Sequence, residues 1–422
     1  MVDSTLPLLL QGYAWLPDRR RRSGGAPVRT RLLGKKAIAL HGPAAVRFFY
    51  DEQHIHRQDA LPRPVIDTLF GQGAVHTLDG ERHRVRKALF TGVLTDPSAV
   101  RELAAQVNRE LGRAAAEWSG EKRVVLFDAL AKVLTRAVHT WAGVPLSEDE
   151  LRHTARDLIA MVDGFAAVGP RHLRARRARR RQEERLAPLV EAVRAEPGPA
   201  VGGPGSTVFR AVAAHHDAGG ALLMPRTAAV EVLNVLRPTV AVTWFAVFAA
   251  HALHRHPEHR AALAADGGPG FGWAFAQEVR RFYPFAPFVG GLAAERLEWA
   301  GRTIAPGTMV LLDLYGLDHD PDLWPEPYRF DPSRFLSGPT PADALVPQGG
   351  GPVDGHRCPG EDVTVTVLAT VARFLARAAY EVPEQDLRIP LERIPTAPRS
   401  GFVVSGFDAP PDYRRAENQH PA

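Results

Sequence analysis

This sequence predicts a mainly α-helical fold with a minor β region. Three observations carry that expectation. Apolar residues recur at helical spacing in four successive segments between Ser98 and Val193. One segment, from about Leu222 to His256, is apolar on nearly every side, as a helix through the middle of a molecule would be. Strand-like runs bounded by turn pairs are confined to residues 30–42 and to Leu292–Leu312. With 422 residues, 45% hydrophobic and 23% charged, the chain has an ordinary globular composition. No repeat and no long polar linker divides it, so a single domain over 1–422 is expected, with about 410–422 as a flexible tail.

In chain order, Thr30–Leu33 and Ala37–Leu40 read as short strands, followed by a helix that buries Val46, Phe48, Phe49 and Tyr50. Gly71 and Gly73 break the chain, and Asp79 opens another helix with His83, Arg86 and Lys87 on its basic face. The four helices after Ser98 are separated near Gly120, Gly143–Ser147 and Gly169-Pro170, with Asp96 or Ser98 and then Ser147 as caps. The Gly- and Pro-rich stretch Ala195–Ser206 reads as a loop. Pro225 suits the first turn of the long helix. A short helix is expected at Trp273–Phe282, then strand pairs with turns at Trp299–Gly301 and Pro306–Gly307. A Pro- and Asp-rich coil, Asp318–Phe335, comes next, and a closing helix runs from Val363 to about Ala379.

The net charge of +5 owes much to Arg171–Arg185. Glu183 and Glu184 follow directly and no aromatic residue interleaves, so this run reads as a solvated helix face and not a nucleic-acid site. Leu8–Leu10 is too short for a membrane span or signal core, and the basic cluster Arg19–Arg22 follows it where a signal would carry charge first. A cytoplasmic protein without a membrane span is expected. The one cysteine excludes an internal disulfide.

That cysteine, Cys358, lies among glycines in Gln348-Gly-Gly-Gly-Pro-Val-Asp-Gly-His-Arg-Cys-Pro-Gly-Glu361, just ahead of the closing helix. Outward-pointing N–H groups and the positive dipole end favour a thiolate there, and a thiolate is a soft metal ligand. Upstream, Glu278 and Arg281 share one face of a short helix and can pair. Arg237-Pro238 interrupts the most apolar part of the long helix. A proline there removes a backbone donor and frees the carbonyl of Asn234. An arginine there stays charged and is costly without an anion, so the sequence demands a negative group beside Arg237. Either a buried Asp or Glu from another helix or a carboxylate ligand would serve. Asn234–Val240 contains no acid, and Thr239 is its only alcohol.

The cysteine loop resembles the haem-binding loop of cytochromes P-450, with His356 two residues before the cysteine and Gly360 two after, although Gly351 replaces the usual phenylalanine. The Glu278-Val-Arg-Arg281 helix, the aromatic-bearing coil and Asp331-Pro-Ser-Arg-Phe335 follow the same family's order. The resemblance implies a triangular helical prism around a buried haem b, its iron held by the Cys358 thiolate. Glu278 and Arg281 would then brace the haem loop without reacting. Haem propionates need cations, and His356, His83, Arg86 and Lys87 are the candidates.

The absent acid and the Arg-Pro pair resemble one branch of that family, the bacterial fatty-acid peroxygenases. The likeness extends through Gln11-Gly12-Tyr13, Leu69–Gly80, Phe282-Tyr-Pro-Phe285, Leu311–Gly316 and Pro347–Gly351, and this branch shows the glycine run. It implies long-chain fatty acid and hydrogen peroxide as reactants, no obligatory redox partner, and α- or β-hydroxy acids or terminal alkenes as products. Arg237 would hold the substrate carboxylate, Pro238 would belong to the same catalytic turn, and the carboxylate would serve as the missing acid–base. By the same resemblance His76 and Phe70 line the site, His76 biases the outcome toward decarboxylation, and Phe288, Val289 and Val168 wall the channel. The competing expectation is an oxygen-dependent monooxygenase fed by ferredoxin or flavodoxin and acting on a carboxylic-acid natural product. It predicts turnover with reductase partners and little with peroxide. A haem-binding sensor would leave Arg237 without a role.

Overall fold

The computed structural model describes residues 2–196, 198, 207–265, 269–341 and 343–413. Its architecture is helical around one long central helix, Pro225–Arg255, which packs against Leu126–Ala142, Glu148–Asp163, Pro170–Ala195 and Glu361–Arg377. Val230, Leu233, Trp244, Phe245 and Phe248 are all buried, so no side of the middle of this helix faces water. It is long and apolar enough to span a membrane, yet 94% of its most apolar stretch is buried inside the fold, as befits a core helix. Phe248 stacks on Tyr283 with ring centroids 4.7 Å apart. Truncating Phe248 to alanine would cost about 3–5 kcal/mol through the cavity left behind. Pro238 sits inside the helix without ending it.

The caps explain where the other helices begin. Asp96 accepts the Ser98 N–H at 2.9 Å ahead of Pro97–Ser119. Ser147 and Glu150 form a reciprocal capping box ahead of Glu148–Asp163. Asp79 stands at the N-cap of Gly80–Leu94, but its carboxylate is spent elsewhere, accepting the Arg57 and Gln58 N–H groups at 2.9 and 2.8 Å. It thereby ties the preceding chain to this helix.

The main sheet has the order Val28–Leu32, Lys35–Leu40, Met309–Asp313, Phe288–Ala293, Ile55–His56. Only the second and third strands run parallel, with Ala37 opposite Met309 and Leu40 opposite Leu312. The hairpin Leu297–Trp299 and Arg302–Ile304 stands apart from it. Several elements go beyond the sequence expectations. Helices Thr5–Gln11 and Trp15–Arg22 precede the sheet; the first leaves Leu6 and Leu10 exposed, so it shows no buried stripe to detect. A three-stranded sheet joins Val124–Val125, Val403–Asp408 and Ala379–Glu381, and strands of two or three residues are too short for alternation to register. The expected loop Ala195–Ser206 and the expected tail lie mostly outside the described residues.

Candidate active site

Cys358 ends a loop held from both sides. Its N–H donates to the Gln348 carbonyl at 3.3 Å, and Gln348 Nε2 donates to Thr364 Oγ1 at 2.9 Å and lies 3.9 Å from Sγ. Arg280 joins the loop to the closing helix, donating to Gln348 Oε1 at 3.0 Å and to Glu361 Oε1 at 2.7 Å. The glycine run has a packing reason. A Cβ at Gly349, Gly350 or Gly351 would lie 2.3–2.6 Å from Tyr50 or Val46, so helix Pro43–Tyr50 fills the place a larger side chain would take. Burial is the leading influence on the thiol and pushes it up, against the Gly360 N–H and the charges of Lys87 and Arg280.

Beneath the loop, Glu278 and Arg281 form a buried bidentate pair at 2.7 and 2.8 Å. Arg281 also donates to the Asp318 and Pro327 carbonyls at 2.8 and 2.9 Å, and Glu278 accepts the Asp331 N–H at 2.8 Å with Arg334 Nε 3.4 Å away. The pair therefore anchors the Pro- and Asp-rich coil.

A cluster of basic side chains lies beside the loop. His83 and His356 stack with ring centroids 3.9 Å apart, and His83 Nδ1 has no hydrogen-bond partner among the described residues. Glu52 lies 3.7 Å from His83 and Asp79 lies 3.4 Å from His356. Glu52, His83 and His356 bring one donor atom each within 4.8 Å of one another. Burial holds both imidazoles below their usual range, His83 at about 3. Lys87 Nζ donates to the Arg357 carbonyl and is lowered to about 8 by burial. Arg57, buried in the same neighbourhood, donates to the Gly290 carbonyl at 3.3 Å and lies 4.2 Å over the Phe49 ring, with no ion pair among the described residues.

On the central helix Arg237 is 5% exposed and has no carboxylate partner among the described residues. Its Nη2 donates to Asn234 Oδ1 at 3.4 Å, and its Nε has no partner. Burial lowers it to about 9, with the Arg179 charge adding and Cys358 opposing, which leaves it a cation at neutral pH. Phe70 lies 5.9 Å from its guanidinium and 4.3 Å, ring to ring, from His76. The fold thus brings Phe70, His76 and Arg237 together from distant sequence positions. His76 Nδ1 is buried and unpartnered. Burial first, then Arg237, hold His76 well below the usual histidine range, so it stands as a neutral imidazole. Thr239 is turned back on its own helix, donating to the Val235 carbonyl at 2.9 Å. Two surface hollows, of about 190 Å3 beside Arg136 and about 620 Å3 beside His251, share no residue with this group.

The fold and this site define a haem-thiolate protein. The family model described as Cytochrome P450 matches residues 274–402. Cytochrome P450SP alpha (CYP152B1), solved in complex with (R)-ibuprophen, is 41% identical with a TM-score of 0.92, covering 96% of this chain and 99% of its own. Cytochrome P450EX alpha (CYP152N1), solved with myristic acid, is 37% identical with a TM-score of 0.90 and coverage of 96% and 97%. A variant of cytochrome P450 OleT in complex with arachidonic acid is 32% identical with a TM-score of 0.91 and the same coverage. Putative cytochrome P450 138 of Mycobacterium tuberculosis is 26% identical over 396 residues, covering 88% of this chain and 87% of its own. The chain belongs to the cytochrome P450 family, and within it to the bacterial fatty-acid peroxygenase branch. Its cofactor is haem, with a cysteine thiolate as axial ligand. The residues present suit that group: the sole cysteine, the unpartnered His83 Nδ1 beside it, and Arg57, which has no ion pair among the described residues.

Four sequence expectations are corrected. Arg86 is not free for a propionate, because its Nη1 binds buried Glu231 at 2.7 Å. Val168 is 72% exposed on the surface turn before helix Pro170–Ala195, so it walls no buried channel. Arg179 is not part of a solvated face: it is 2% exposed, pairs with Glu183 at 3.0 Å, and donates to the Thr68 and Leu69 carbonyls. Neighbouring strand residues Phe288 and Val289 point to opposite faces, so one channel cannot take both. Phe288 lies against Trp15, while Val289 packs on the cluster containing Phe49. Arg57 and Glu231 escaped sequence reading; neither has a local pattern that separates it from a surface charge.

Proposed function

We propose that this chain uses hydrogen peroxide to hydroxylate long-chain fatty acids at the α or β carbon, or to decarboxylate them to terminal alkenes, without an obligatory redox partner. The observation that carries the reading is the buried guanidinium of Arg237, which no described carboxylate neutralises. A fatty-acid carboxylate supplies the missing anion, and a two-pronged Arg–carboxylate pair fixes its position and orientation. When bound, the haem supplies the iron that activates peroxide, and the electron-rich Cys358 thiolate favours O–O cleavage. His83, His356, Lys87 and Arg57 are the chain's partners for its propionates.

The substrate's own carboxylate takes the acid–base role that no side chain of Asn234–Val240 can fill, since Thr239 is bonded to its own helix. It accepts a proton from hydrogen peroxide and returns it to the distal oxygen, which leaves as water. Pinning the carboxylate at Arg237 brings Cα and Cβ nearest the reacting centre. Oxygen insertion there gives a hydroxy acid; removal of a Cβ hydrogen and one further electron, with loss of carbon dioxide, gives the alkene and a second water. Neutral His76 offers one N–H beside Phe70 for steering between these outcomes.

The test incubates haem-loaded protein with myristic and palmitic acids plus hydrogen peroxide, with a parallel reaction containing dioxygen, ferredoxin or flavodoxin, and reductase. Products are identified by gas chromatography and mass spectrometry. Hydroxy acids or alkenes one carbon shorter are expected with peroxide alone. Turnover only with the reductase system would replace this reading with the monooxygenase.

A further inference from the structure

Phe70 and His76 are not on the helix that carries Arg237. They sit on a connection whose only regular pieces are the short turns Ile66–Phe70 and Val75–Thr77, too brief to hold a position by themselves. Buried side chains grip its backbone instead. Arg179 donates to the Thr68 carbonyl at 3.1 Å and the Leu69 carbonyl at 2.7 Å, an approach open only because Gly71 (φ 88°) has no Cβ to meet the guanidinium. Asn234 Nδ2 donates to the Phe70 carbonyl at 3.1 Å, and Arg86 Nη1 to the Gly73 carbonyl at 3.3 Å. The Val75 N–H, one residue before His76, donates to Glu231 Oε1 at 2.9 Å.

Glu231 is fully buried, makes the last of these bonds itself and holds the donors of two others, Arg86 and Asn234. It accepts from Arg86 at 2.7 Å, from Val75 and, through Oε2, from Asn234 Nδ2 at 3.0 Å. Both partners of the Asn234 amide nitrogen are acceptors, so the amide can face only one way. Its oxygen is thereby turned toward Arg237, 3.4 Å from Nη2. A neutral dipole steadies the guanidinium without cancelling its charge. The acid one turn before Asn234 cannot quench Arg237 either, because Arg86 holds it.

We propose that Glu231 is a positioning residue: with Arg86 and Asn234 it sets the register between Arg237 and the connection carrying Phe70 and His76, and so sets substrate affinity and product choice. This rests on Arg237 being the carboxylate site. Removing one member of a buried ion pair strands a charge, whereas replacing both with apolar residues of similar size does not. The informative variant is therefore the double replacement Glu231→Leu with Arg86→Met. Asn234→Leu, which leaves the Arg86–Glu231 pair in place, is the second variant and carries the test if the double one loads no haem.

Haem-loaded variants are titrated with myristate, following the substrate-induced change in the haem absorption band, and then assayed with peroxide. At least a tenfold loss of myristate affinity is expected, with KM rising more than kcat falls and the alkene-to-hydroxy-acid ratio displaced. A purely structural role would lower haem yield and leave affinity and ratio alone in the protein that does fold. Variants that load haem, bind myristate as the wild type does and keep its product ratio overturn the proposal. Arg237→Ala run alongside separates the two ideas. If it loses myristate while the other variants keep it, only the positioning role falls; if it also binds normally, the carboxylate reading falls with it.

Discussion

The two sides of this site treat buried charge in opposite ways. Below the cysteine loop the two buried arginines are matched: Arg281 meets Glu278 and two carbonyls, and Arg280 meets Glu361 and Gln348. On the side of the central helix, Arg237 Nε and His76 Nδ1 are buried without a partner. An unsatisfied buried polar group costs about 1–3 kcal/mol. A fold that closes the support with ion pairs and leaves these groups open beside the central helix is organised for a polar ligand there.

Breaking the supported side has the largest expected effect. Glu278→Ala strands Arg281 at zero side-chain exposure, with a loss of about 3–5 kcal/mol and failure to accumulate haem-loaded protein, read from haem per chain and a urea midpoint. Cys358→Ser is expected to leave the helical fold and abolish the red-shifted band of the reduced carbon-monoxide complex; an unchanged spectrum would remove Cys358 as the axial ligand.

Acid should weaken the molecule next. His139 is 2% exposed, its Nδ1–H donates to the Thr135 carbonyl at 2.8 Å, and burial lowers it to about 4. A depressed histidine contributes stability that is present above its unfolded pKa of about 6.5 and lost as pH falls toward the folded value. A loss on the order of 2 kcal/mol is expected between those limits, and His139→Gln should flatten that slope in urea midpoints measured against pH. The smallest effect belongs to His76. His76→Gln should lower the alkene-to-hydroxy-acid ratio several-fold, about 1 kcal/mol between competing barriers. An unchanged ratio would retire the steering role of His76.

What the sequence revealed and what it hid follow the same division. Helix starts at Asp96 and Ser147 were legible because caps are local, and Arg237 was legible because a charge inside an apolar helix contradicts its surroundings. The Glu278–Arg281 pair lies three residues apart on one helix. Glu231 against Arg86, the Thr68 and Leu69 carbonyls against Arg179 and the Gly290 carbonyl against Arg57 come from elsewhere in the fold, so each arginine reads in the sequence as one more basic residue on a helix or loop. Whether such a residue is spent or free is decided by tertiary contact, as Arg86 on Glu231 and Arg57 over Phe49 show.

The most direct test of the central claim compares myristic acid with its methyl ester on wild type and on Arg237→Ala, by equilibrium titration of the haem absorption band. The account predicts that wild type prefers the free acid by about a hundredfold, near 3 kcal/mol, and that Arg237→Ala keeps its haem and loses that preference. Equal binding of acid and ester by wild type, or an undiminished preference in Arg237→Ala, would contradict it.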